Sequence, residues 1–173
     1  MSNFVPYTTM LATKEIKLLL LAITVAILMP SCLKFEEFPI EPTVEFNEFV
    51  QYNDSARIKF HFTDGDGDIG LNAGDTFPPY DTLPYYYNLF LEYFELHDGQ
   101  WELVDLTLPL YYRVPVITPT GQNKALEGDM DILLYPWPTL PNTSGDTVKY
   151  SLKLVDRALH ESNVVETGNI IVP

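Results

Sequence analysis

The chain has 173 residues, with 24 acidic side chains against 10 basic ones and a formal net charge of -14. Hydrophobic residues at 46% and aromatics at 13% are too much buriable material for a disordered acidic tail, and the charge has the wrong sign for gripping a nucleic-acid backbone. The single cysteine, Cys32, excludes an internal disulfide and a four-thiolate zinc site.

Lys14, Glu15 and Lys17 precede an apolar run from Leu18 to Met29, closed by Pro30, Ser31 and Cys32. As a helix this run would be about 18 Å long, against roughly 30 Å of hydrocarbon in a bilayer, so it reads as an export signal and not as a span. Met10 is an alternative start to Met1. The segment resembles the signal peptide of bacterial lipoproteins: Ser31 is the small residue before cleavage and Cys32 the acceptor of lipid, although Pro30 stands where another small residue is usual. The resemblance implies a signal over 1–31, acyl chains such as palmitate on Cys32, and a tether over 32–42 containing Pro39 and Pro42. Removing 1–31 leaves the body still more acidic, so attachment to the membrane rests on the acyl chains. Lys34, Glu36 and Glu37 look like the lysine-plus-acidic export signal that places lipoproteins of the Bacteroidota on the outer face of the outer membrane.

From Thr43 onward the apolar pattern has period two, punctuated by Pro and Gly. Strands are expected over 43–51, 55–63, 88–96, 101–106, 110–117, 126–135, 147–156 and 165–172. In the second, Ala56, Ile58, Phe60 and Phe62 alternate with Arg57, Lys59 and His61, giving one buried and one wet face. Val148, Tyr150, Leu152 and Leu154 do the same in the seventh, and Asp98, Gly99 and Gln100 mark a hairpin turn. Seven or eight strands without repeats or a helical crossover favour one all-β domain over 43–173, an antiparallel β-sandwich of immunoglobulin-like type, with a small barrel as the alternative.

Asp64, Gly65, Asp66, Gly67, Asp68, Ile69 and Gly70 follow the second strand directly. Carboxylates at alternate positions, separated by glycines that allow tight turning, converge oxygens on one hard cation, and calcium tolerates such a flexible loop best. Asp75 falls twelfth from Asp64, where a helix-loop-helix calcium hand carries its closing acid, but Ile69 occupies the position that such a hand reserves for Gly, and no helices flank the loop. In a sandwich, the loops after the second and the penultimate strand leave at the same end, which brings Asp156 toward Asp64, Asp66 and Asp68; Asn163 is a further oxygen donor in that second loop. A solvated, glycine-rich turn with Asp156 capping local backbone is the plainer alternative. Phe60, Phe62 and Asp64 through Gly70, together with Val155, Asp156, Arg157, Ala158, Ser162 and Asn163, resemble a signature of Bacteroidota lipoproteins near the start of an immunoglobulin-like domain. Together with the lipoprotein signal, these matches cover about a third of the chain and imply a fold and an address; such proteins mostly lack an assigned activity.

The connection over 64–87 is long and holds Phe77, Tyr80, Tyr85, Tyr86 and Tyr87. Tyrosines offer flat apolar area with a hydroxyl, so Tyr85, Tyr86, Tyr87 and Trp137 are the candidate contacts to a protein or a sugar, unless they fold back over a sandwich edge. No nucleophile elbow, phosphate loop or dinucleotide fingerprint occurs, and His61, His97 and His160 are scattered. The expected role is non-catalytic: an accessory, protein-interacting lipoprotein of an outer-membrane complex, with a surface glycan-binding module or a structural envelope protein as alternatives.

Overall fold

A computed structural model describes residues 16, 17, 19, 37–140 and 147–172. The expected export signal, Cys32 and the first part of the expected tether lie outside the residues described, apart from Ile16, Lys17 and Leu19, which are helical. Among the described residues, no helix is long and apolar enough to cross a membrane.

The body over residues 37–172 is all-β, with strands β1 (Thr43–Gln51), β2 (Ala56–Asp64), β3 (Leu89–His97), β4 (Gln100–Leu103), β5 (Leu110–Tyr112), β6 (Leu126–Leu134), β7 (Thr147–Leu154), β8 (Val165–Glu166) and β9 (Ile170–Ile171). Every pairing is antiparallel. One sheet has the order β1-β2-β6; the other has the order β4-β3-β7-β8, with β5 also on β3 and β9 also on β7. Period-two patterning produces this sandwich directly. On β2, Ala56, Ile58, Phe60 and Phe62 are buried while Arg57, Lys59 and His61 are half-buried, and on β7 Val148, Tyr150, Leu152 and Leu154 are buried. Each buried Val, Leu, Ile or Phe among them contributes about 1.5–3 kcal/mol by leaving water.

Four of the expected strands run differently. The stretch over 110–117 ends as a strand at Tyr112, because the next residues leave the sheet for other partners. Arg113 donates to the carbonyls of Tyr86, Asn72 and Asp75, the Val114 N–H donates to Asn88 Oδ1 at 2.6 Å, and Pro115 has no N–H for a ladder. The stretch over 165–172 breaks into β8 and β9 around Gly168, which sits at φ +73°. Strand β4 stops at Leu103, short of 106, and β7 stops at Leu154, two residues before Asp156. The turn between β3 and β4 is as expected: Asp98 and Gly99 both have positive φ, the pairing of a tight hairpin with primed twist.

The aromatic centre of the core is Phe60, Tyr93, Tyr150 and Trp137, all at most 3% exposed. Tyr150 hydrogen-bonds Thr139 through its hydroxyl, and Trp137 packs edge-on against Phe49 with centroids 5.1 Å apart. On the β1 side the two sheets are stitched together: Asn163 accepts from the Val44 N–H and donates to the Val44 carbonyl, and Gln51 donates to the Ile171 carbonyl.

Candidate metal centre

Two chain segments build the centre, one from each sheet. β2 delivers Asp64 as its last residue, and the chain then turns through Gly65 to Gly70. β7 ends at Leu154, and its continuation delivers Asp156 beside that turn, where the Arg157 N–H donates to the Asp68 carbonyl at 3.2 Å. Gly67 is required here, since it has φ +67° and a Cβ on it would lie 1.8 Å from the Lys124 carbonyl oxygen. Gly65 is equally constrained. Its N–H donates to the Pro39 carbonyl at 2.8 Å, and a Cβ would meet the Phe38 carbonyl oxygen at 2.3 Å.

The outcome is a set of four carboxylates, Asp64, Asp66, Asp68 and Asp156, each with an oxygen within 4.8 Å of the others. Asp64 and Asp156 are buried, Asp68 is half-buried and Asp66 faces solvent, so the cluster is a pocket of charge with one open side. Asp64 Oδ2 accepts from the Asp68 N–H at 3.1 Å, whereas Asp64 Oδ1 and Asp68 Oδ1 are buried and have no hydrogen-bond partner. Burial, followed by repulsion from Asp66, Asp68 and Asp156, pushes the Asp64 carboxyl up to about 7; burial and then Asp156 and Asp66 raise Asp68 as well. Asp156 is held from behind by His160, whose N–H meets Oδ1 at 2.7 Å and whose Nδ1 meets Oδ2 at 2.8 Å. Such backing fixes the orientation of a ligating carboxylate.

Buried acceptors without donors call for a positive group. The donor set is all oxygen, with no cysteine and with the nearby imidazole already engaged by Asp156, which suits calcium over zinc or copper. Backbone carbonyls and water on the Asp66 side are the natural completion of a shell of six to eight oxygens.

Asp75 does not join this set. It forms a two-pronged ion pair with Arg157, the second contact being Nη2 to Oδ1 at 2.9 Å, and this hydrogen bonding pulls its carboxyl down to about 2. The count of twelve from Asp64 is coincidental, because a carboxylate neutralised by a guanidinium has little left for a cation. Asn163 is also committed elsewhere, to the backbone of Val44.

The candidate contact residues divide. Trp137 is a correction: at 3% exposure it is a core residue, packed edge-on against Phe49 and tilted against Tyr150, and it offers no surface to a partner. Tyr86 is 40% exposed, but the Arg113 guanidinium covers its ring at 5.0 Å and Tyr87 meets it edge-on; Tyr85 and Tyr87 are half-buried. Two organising residues were not legible as such. Asn88, buried, ties β5, β7 and the long connection together, its backbone bonding Tyr112 and Val155 and its side chain Val114. Arg157 fastens the 71–87 stretch to the acidic loop through Asp75, through a carbonyl that accepts from Tyr80, and by lying over the Tyr80 ring at 5.5 Å.

No protein-family model matches the chain, and no curated protein or solved structure matches it.

Proposed function

We propose that this protein is a lipid-anchored envelope protein whose sandwich is locked at one end by calcium, and that it works as a non-catalytic accessory subunit binding a protein of an outer-membrane assembly. The observation that carries the cation reading is the convergence of Asp64, Asp66, Asp68 and Asp156 within 4.8 Å, with Asp64 Oδ1 and Asp68 Oδ1 buried and unpartnered. An ion there joins the end of β2 to the segment after β7 and, through Gly65 and Pro39, to the point where the tether enters the domain. The role is mechanical: it fixes the end of the body at which the chain enters past Pro39, and it orders the start of a long connection whose entropy is otherwise costly. The anchor itself rests on Cys32 and the apolar run before it.

A protein partner is favoured over a sugar because two members of the candidate aromatic set are withdrawn from stacking on a sugar. Trp137 is in the core, and Arg113 occupies one face of Tyr86. Melting curves with calcium and with chelator test the cation: wild type gains in Tm with calcium and the Asp66→Asn, Asp68→Asn double variant does not, whereas a wild type indifferent to calcium refutes the reading. Mass spectrometry of the protein from its native envelope tests the address. An acylated amino-terminal Cys32 is expected, and a mature chain retaining Leu28 through Ser31 contradicts it.

A further inference from the structure

The β1-β2-β6 sheet has three strands and lies against a sheet of six, and it ends on β6. Leu126–Leu134 is nine residues long, and every second residue of a paired strand turns its N–H and C=O away from its neighbour. Among the described residues, no backbone group of β6 has a partner on the side away from β2. Long unpaired edges are templates for another strand unless they are covered.

The outer face of this sheet carries charge in columns. Glu45 and Glu48 on β1 stand opposite His61 and Lys59 on β2, and across β2 the same two residues stand opposite Asp129 and Asp131 on β6. Acid, base, acid is therefore the order, strand by strand, and the last acid column has no neighbour. Lys59 is engaged by Glu48, which leaves Arg57 and His61 to three acids, Glu127, Asp129 and Asp131. On the inner face, Leu126 and Met130 pack on the core yet stay half-buried. At the C-terminal end of β6, an open apolar groove of about 390 Å³ runs between it and β5, lined by Leu106, Leu108, Leu110, Tyr112, Leu134 and Leu140.

We propose that β6 is a docking edge that receives an extended segment of a partner protein as a fourth strand, with Lys or Arg at alternate positions facing outward and apolar residues between them facing the groove. The bases continue the alternation of columns and pair with Glu127, Asp129 and Asp131, while the apolar residues cover Leu126, Met130 and the groove. A second copy of this chain fits poorly, since joining β6 to β6 sets one acid column against another. This inference supplies a surface for the protein-binding reading above and rests on it for its biological sense.

The test uses the full-length protein in detergent with a nine-residue peptide alternating Lys and Val, a scrambled peptide of equal charge, and a peptide with Glu in place of Lys. The Lys-Val peptide is expected to bind saturably, to protect amides within 126–134 from hydrogen exchange, and to bind at least about tenfold tighter than the scrambled one. The Asp129→Lys, Asp131→Lys variant, checked for an unchanged melt, is expected to lose that peptide and take the Glu peptide instead. N-methylation along one edge of the peptide abolishes binding and along the other edge does not. Equal binding of the scrambled peptide means simple charge attraction and overturns the proposal. So does protection, in the free protein, of the alternate β6 amides that face away from β2, which means that this chain or a second copy already covers the edge. Crosslinks from a cellular partner to the 71–87 connection in place of β6 overturn it as well, while leaving the accessory role intact.

Discussion

Replacing Asp64 with Asn separates a cation ligand from an ordinary polar residue, because the two roles predict opposite signs without metal. Asp64 has three carboxylates whose oxygens approach to within 4.8 Å. At an effective dielectric constant near 20, each such pair of full charges costs about 3.5 kcal/mol. Three of them approach the whole stability of a typical domain, about 5–15 kcal/mol. Without metal the protein escapes by holding a proton on Asp64, whose carboxyl is raised from 3.8 to about 7. At pH 8, above that value, the proton is mostly lost in the folded and the unfolded state alike, and the raised carboxyl carries a penalty of about 4 kcal/mol. Asn has the shape of the protonated acid, and its amide oxygen keeps the bond from the Asp68 N–H. In chelator at pH 8, Asp64→Asn is therefore expected to stabilise the fold by about 2–4 kcal/mol. In calcium at 100 to 1,000 times its Kd, wild type gains about 2.7–4.1 kcal/mol and the variant little, so the order of stabilities closes or reverses. Urea denaturation followed by Trp137 fluorescence measures both, as that indole is buried in the folded domain. Equal destabilisation by the substitution with and without calcium would refute the reasoning and reduce Asp64 to a cap on the turn after β2.

Other residues give independent checks. Asp75→Asn is expected to lower the melting midpoint at neutral pH by removing the two-pronged pair with Arg157, and to leave calcium affinity nearly unchanged because Asp75 is outside the carboxylate cluster. Since the Asp75 carboxyl is pulled below its usual range to about 2, its contribution is complete above pH 4 and is lost as the pH falls from there through 2; acid titrations of wild type and variant should converge at the bottom of that window. Asn88→Ala leaves the buried Val114 N–H without its acceptor and is expected to cost about 1–3 kcal/mol in urea titrations. Gly67→Ala meets both a positive φ and a carbonyl oxygen, and is expected to lower stability and calcium affinity together, by about 1–3 kcal/mol in the former.

Much of the scaffold is readable in the sequence, because period-two burial has one structural solution on a half-wet sheet. β1 runs over the expected Thr43–Gln51, and β2 and β6 differ from expectation by a residue at their ends. The convergence of Asp156 on Asp64, Asp66 and Asp68 followed from placing the ends of two strands at one end of a sandwich. What escaped was set by partners far away along the chain. Nothing near Asp75 announces Arg157, which lies 82 residues on, so a loop count made Asp75 a ligand when a guanidinium had already neutralised it. Trp137 follows the exposed Tyr135 and Pro136 in a proline-rich stretch, and composition alone cannot tell a ring on a surface from one turned into the core between Phe49 and Tyr150. The early end of β5 has the same origin, since Asn88 captures the Val114 backbone that the alternating pattern had assigned to a ladder.

The central claim is that the four carboxylates hold one cation, and a crystal grown in calcium with anomalous data tests it most directly. The account predicts a single peak per chain bounded by Asp64, Asp66, Asp68 and Asp156, with carboxylate oxygens at about 2.3–2.6 Å. A cluster that holds no peak at saturating calcium, or a lysine or arginine side chain folded into it, would contradict the account.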